Sequence, residues 1–169
     1  MIPRTEFKAA AICLIIGLLL AHVSVPAAQA SLLSNFRKSK ELKVRTTAYT
    51  HTESDHLQHG KKTAAGTTLQ SGKINSAAAD WSFLPVGTTF RIKGDDTLYK
   101  VEDYGRALVG TETIDIYRPS SQSMNRWGVR NVEIEIIEKG CVKRSLELLS
   151  GRTHFAHCQE MFDKLKEQL

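Results

Sequence analysis

Aromatic residues are scarce, at 7% of the 169-residue chain. That is too few for the stacked aromatic platforms that hold single-stranded nucleic acid. Long apolar runs are scarce too. The N-terminal run from Ala9 to Ala21 has 13 residues, against the roughly 20 needed to span a bilayer as a helix. Neither a low-complexity tract nor an internal repeat is evident. Acidic residues are outnumbered, 18 to 23, and the net charge is +5. Such a balance favours acidic partners, among them nucleic acid, anionic lipid and cell-wall polymer. What is present is ordinary for a folded domain, with 41% apolar and 24% charged residues. The length suits one domain, with room for an appendage.

Residues 1–30 read as a secretory signal peptide. Arg4 and Lys8 form a basic start, the apolar run follows, and Ala28-Gln29-Ala30 has the small-x-small pattern of a cleavage site. The competing reading is an uncleaved anchor, for which the run is short. Cleavage after Ala30 removes two basic residues and one acidic, so the net charge falls from +5 to +4. It also removes Cys13 and leaves Cys141 and Cys158 in an exported chain. In an oxidising compartment these two either form a disulfide or remain free thiols. A bridge would stabilise by roughly 3 kcal/mol on the chain-entropy estimate. Export to the periplasm or cell envelope, with no membrane span left after cleavage, argues against a nucleic-acid role.

Residues 31–42 are polar and basic and read as a linker. From residue 43 the β signals begin. Residues 44–49, 88–93, 97–102, 113–117 and 131–138 carry β-branched and aromatic residues, and the last alternates Val132, Ile134 and Ile136 against Glu133 and Glu135. Gly94-Asp95-Asp96 marks a hairpin turn. Residues 120–127 suit one or two helical turns ended by Gly128. Beyond Gly140 the spacing turns helical, with Leu146 and Leu149 and then, past Gly151, Phe155, Cys158, Phe162, Leu165 and Leu169 in steps of three and four. The expectation is a mainly β domain over 43–139, closed as a small barrel, with a helical tail over 140–169.

Asp80, Asp103 and Asp115 each sit at or beside an apolar β segment, where an unpaired carboxylate is expensive to bury. Asp115, between Ile114 and Ile116, points opposite to both. Three carboxylates brought to one cleft would crowd one another, and one would hold its proton at neutral pH. That is what a general acid acting on a glycosidic oxygen requires. Taken singly, each aspartate also has a structural reading, and Asp103-Tyr104-Gly105 suits a turn.

The ordered pieces Thr47-Ala48-Tyr49-Thr50, Thr63-Ala64-Ala65-Gly66, Ala78-Ala79-Asp80, Leu84-Pro85-Val86-Gly87-Thr88, Glu102-Asp103-Tyr104-Gly105 with Gly110, Ile114-Asp115-Ile116-Tyr117 and Trp127-Gly128-Val129-Arg130 resemble the three-aspartate (3D) domain. That domain is the catalytic barrel shared with membrane-bound lytic transglycosylase A. The resemblance implies a six-stranded double-psi β-barrel. It also implies cleavage of the MurNAc-GlcNAc bond of peptidoglycan glycan strands, with a 1,6-anhydro product. Asp115 would then be the acid/base. Asp103 would steady the reacting sugar and its positive charge, and Asp80 would lie in the same cleft. Tyr49, Thr63, Gly105, Arg106 and Gly110 are the substrate-binding candidates. The chain reads Asp103-Tyr104-Gly105-Arg106 where the family usually has Asp-Thr-Gly-Gly. The alternative is a non-catalytic glycan-binding barrel, expansin-like or similar to rare lipoprotein A. A monomer is expected.

His51, Asp55, His56 and His59 share one polar loop. The spacing matches no established ligand motif, and a solvated loop beside the cleft is preferred to a metal site. No metal and no other cofactor is expected. Tyr49 suits either a sugar-stacking ring or a core position, while Trp81 and Trp127 suit the core.

Overall fold

The computed structural model describes residues 40–54 and 56–169. The segments read as signal peptide and most of the linker, and Asp55 of the polar loop, lie outside them. Among the described residues no helix is long and apolar enough to cross a membrane.

Six strands form a closed barrel: β1 (Lys40–Tyr49), β2 (Ile74–Ala78), β3 (Thr89–Ile92), β4 (Leu98–Asp103), β5 (Thr113–Tyr117) and β6 (Arg130–Glu138). Their order around the barrel is β1-β5-β2-β4-β3-β6. The β1/β5 and β2/β4 pairs are parallel, and the other four are antiparallel. Closure leaves no open sheet edge. The mainly β architecture with C-terminal helices is thus the one expected. Strand β1 begins at Lys40, inside the stretch read as linker, because its register with β6 runs from Lys40↔Ile136 to Thr46↔Arg130.

Alternation sorts the strands into two faces. Ile114 and Ile116 of β5 are fully buried, as are Phe90 of β3, Tyr99 and Val101 of β4 and Ala77 of β2, all in one core. The β2 strand was not evident in the sequence. Ile74-Asn75-Ser76-Ala77-Ala78 has little β-propensity and no alternation, since four of its five residues are buried. Small side chains suit a strand covered on both faces.

Three helices follow the same logic. Helix α1 (Ser121–Trp127) opens with a capping box between Ser120 and Ser123. Helices α2 (Val142–Ser150) and α3 (Ala156–Lys166) form a C-terminal hairpin. This hairpin is part of the core. Leu149, Cys158, Met161 and Leu165 are fully buried in the same cluster as Trp81 and the barrel isoleucines. Each large apolar side chain so buried stabilises by roughly 1.5–3 kcal/mol. The Trp81 backbone N–H donates to Met161 Sδ at 3.4 Å.

The passage from β6 into α2 depends on Gly140. A Cβ there would lie 2.6 Å from the backbone O of Val86 and N of Thr88. The Gly140 N–H donates to Thr88 Oγ1, and the Cys141 N–H to the Val86 carbonyl. Gly140→Ala is therefore expected to destabilise by about 1–3 kcal/mol, the range for forced overpacking. Urea unfolding of the variant checks this.

The two cysteines are not bridged. Cys141 is exposed and caps α2, its Sγ accepting from the Arg144 N–H at 3.3 Å. Cys158 is buried on α3 and donates to Tyr104 Oη at 3.3 Å. Of the two readings open for this pair, the structure has the free thiols.

Candidate functional site

One row of residues crosses four strands. Thr47 of β1 pairs with Asp115 of β5, Asp115 with Ala78 of β2, and Ala78 with Asp103 of β4. Paired neighbours in a sheet direct their side chains to the same face. Asp115 therefore points away from buried Ile114 and Ile116, as its position predicted. Ala78 lies between the two aspartates and presents only a methyl group. Two strand spacings place the aspartate backbones about 10 Å apart.

A bulge produces half of this arrangement. The β2/β4 register shifts between Ala77 and Ala78, so Ala77 faces Val101 but Ala78 faces Asp103. One extra residue in β4 re-aims the side chains beyond it. Glu102 also turns toward β2, accepting from Ser76 Oγ at 3.0 Å, with Lys100 Nζ of its own strand 3.6 Å away. Glu102 was not among the candidates.

Asp103 is held on both oxygens. Oδ1 accepts from the backbone N–H groups of Ala64 at 3.1 Å and Tyr104 at 3.0 Å. Oδ2 lies 3.3 Å from His56 Nε2. Its backbone carbonyl accepts from Ala79 N and from Trp81 Nε1. Asp115 Oδ1 accepts from Thr47 Oγ1 at 2.7 Å. The connection from Asp103 to Asp115 contains a short 3-10 turn, Arg106–Leu108, and still returns Asp115 in register with Ala78.

Asp80 has a different task. It is 2% exposed, and its carboxylate accepts from Ser82 N, Ser82 Oγ and Gly110 N, at 2.8, 2.6 and 2.8 Å. Gly110 has φ +77°, a conformation that favours glycine. Asp80 thus fastens the turn that leads into β5.

The other candidates are distributed unevenly. Tyr49 is 7% exposed and offers no open ring face for stacking. The rings of His56 and Tyr117 lie 5.5 and 5.6 Å from it. Its Oη is buried without a hydrogen-bond partner. Burial, then the charges of Asp103 and Asp115, push its phenol far above the ordinary value. Tyr49 therefore stands where the fields of both carboxylates reach. Thr63 is spent on its own turn, bonded to Thr67. Gly105 is extended, with φ −131°, and precedes the 3-10 turn. Arg106 is exposed on that turn.

Trp81 is fully buried, as expected. Trp127 is only partly buried, with the guanidinium groups of Arg118 and Arg130 over its ring at 4.3 and 4.1 Å from the ring centre. In the polar loop, His51 Nδ1 is 2.9 Å from Tyr117 Oη, and His56 is turned to Asp103. Among the described residues no group of three or more His, Cys, Asp or Glu is arranged to hold a metal ion.

The helical hairpin reaches this site. Arg152 donates to the Ala64 carbonyl at 2.9 Å, and the N–H of that same Ala64 caps Asp103. Tyr104 packs edge-on against Trp81 at 5.0 Å and meets Cys158 through its hydroxyl. Burial, and then Cys158, push its phenol up to about 12. Tyr104, where the resembling family usually has threonine, is thus a seat for the hairpin.

Residues 75–138, from within β2 to the end of β6, match the model of the 3D domain. The match leaves out β1, the polar loop and the C-terminal hairpin. YabE of Bacillus subtilis (strain 168), named as a cell wall shaping protein, is 31% identical over 105 residues. That alignment covers 62% of this chain and 25% of YabE, so the chain spans a quarter of that relative's length. The crystal structure of MltA from E. coli is 23% identical, with a TM-score of 0.37 over 47% of this chain and 28% of that one.

Proposed function

We propose that this protein is an exported lytic transglycosylase that cleaves the glycan strands of peptidoglycan in the cell envelope. The observation that carries the reading is the row Thr47–Asp115–Ala78–Asp103, which sets two carboxylates on one barrel face with a methyl group between them. The 3D domain and the resemblance to a wall-shaping relative agree with it.

In this reading Asp115 gives its proton to the glycosidic oxygen between MurNAc and GlcNAc, and the bond to the anomeric carbon breaks. The sugar ring develops positive charge. Asp103, taking donors on both oxygens, serves as a fixed negative charge toward it. Asp115, now a carboxylate, accepts the proton of the same sugar's 6-hydroxyl, whose oxygen closes on the anomeric carbon. One group serves both transfers, no water enters, and the product is a 1,6-anhydro sugar. Asp80 acts indirectly, by holding the turn before β5.

Digestion of purified peptidoglycan tests the proposal. Mass spectrometry is expected to find anhydro-muropeptides in the soluble fraction. Retention of the protein on the wall with no soluble product would replace this reading by the glycan-binding barrel.

A further inference from the structure

The loop between β1 and β2 lies outside the matched 3D stretch, yet it delivers a side chain to Asp103. His56 Nε2 is 3.3 Å from Asp103 Oδ2, and its Nδ1 is 3.1 Å from the Gly60 carbonyl oxygen. Both ring nitrogens face oxygen atoms. A carbonyl oxygen has no proton to give, so Nδ1 carries one. The contact with Asp103 holds a second. A donor at each ring nitrogen satisfies both contacts. In that state the ring is an imidazolium facing the Asp103 carboxylate.

The pair is enclosed. The side chains of His56 and Asp103 are 16% and 9% exposed. The Tyr49 ring packs at 5.5 Å from the imidazole, and the His59 ring at 6.2 Å. An ion pair so placed is screened by salt much less than one on the surface.

We infer that His56 is a positioning residue, whose imidazolium fixes Oδ2 of Asp103 while the Ala64 and Tyr104 N–H groups fix Oδ1. The carboxylate is thereby clamped from two sides, one by backbone of the 63–66 turn and β4's end, the other by the polar loop. Its charge is held at one place on the face it shares with Asp115. The kinetic consequence rests on the lytic reading above, whereas the clamp itself does not.

The experiment therefore has two arms. In the first, anhydro-muropeptide release is measured for the wild type, His56→Ala, His56→Gln and Asp103→Asn, together with retention on insoluble peptidoglycan. His56→Ala is expected to lower the rate about 10-fold or more, the scale of one hydrogen bond to a charged group. His56→Gln, whose amide can still donate toward Oδ2, recovers part of that loss. Wall retention stays at the wild-type level in both. In the second arm, the imidazole nitrogens of His56 are recorded by nuclear magnetic resonance. Both are expected to be protonated at pH 7 in the wild type, and the ring to become neutral more readily in Asp103→Asn. A full rate in His56→Ala, or a ring indifferent to Asp103→Asn, overturns the inference. If the wild type releases no product, the lytic reading fails and the second arm alone decides on His56.

Discussion

Asp115→Asn is expected to abolish release of anhydro-muropeptides, with a loss of about 100- to 10,000-fold, the usual contribution of a positioned general acid or base. The substitution is nearly isosteric. The asparagine carbonyl can still accept from Thr47 Oγ1, which lies 2.7 Å from Oδ1 in the native protein. Ile114 and Ile116 remain in the core on the opposite face. Stability and wall retention should therefore be preserved while the chemistry stops. An amide gives no proton to a glycosidic oxygen and takes none from a hydroxyl. Both half-reactions fail together, so no partial product should accumulate. The measurement is a time course of soluble muropeptides, with unfolding in urea as the control. Equal product from Asp115→Asn and the wild type would move the acid to another group.

The second large effect is on stability. Trp81→Ala is expected to cost about 3–5 kcal/mol, the range for emptying a buried aromatic site. That is a large fraction of the roughly 5–15 kcal/mol that holds a typical domain together. Trp81 is fully buried and touches two parts of the molecule, the end of β4 and α3. Its indole N–H donates to the Asp103 carbonyl at 2.9 Å, its ring meets Tyr104, and its backbone N–H meets Met161 of α3. The urea midpoint should fall sharply with little change in slope. Trp81→Phe separates the contributions. It keeps most of the packing but leaves the Asp103 carbonyl one donor short, so a smaller loss of about 1–3 kcal/mol is expected.

Much of this was legible in the chain. Five of the six strands carry β-branched or aromatic residues in alternation, and the helical hairpin shows its three- and four-residue steps. Asp80, Asp103 and Asp115 could be singled out because each sits at or beside an apolar β segment. Other features were not legible, for identifiable reasons. Strand β2 is built of Ser76, Ala77 and Ala78, whose small size serves close packing rather than local preference. The bulge that sets Asp103 opposite Ala78 belongs to a pairing of strands, and neither strand announces it alone. His56 lies 47 positions from Asp103 in a polar loop, where a histidine has no local signature. Asp80 finds its partner at the Gly110 N–H, 30 positions on, so its holding role emerges only from tertiary structure. The cysteine pair invited a bridge by count alone, and geometry gave each thiol another use.

Barrel closure sets the order in which the site can come into being. Thr47 and Asp115 are 68 positions apart, and Ala64 and its anchor Arg152 are 88 apart. Pairings between such distant segments carry a high entropic cost before they yield any contact energy, and folds built on them form slowly. The row of carboxylates exists only once β2 has paired with both β5 and β4, Asp115 gains its Thr47 donor only once β1 has found β5, and the cap of Asp103 is tied down only once the C-terminal hairpin has docked. A partly folded chain thus has its aspartates but no arrangement of them, and the shared carboxylate face comes only with the completed barrel.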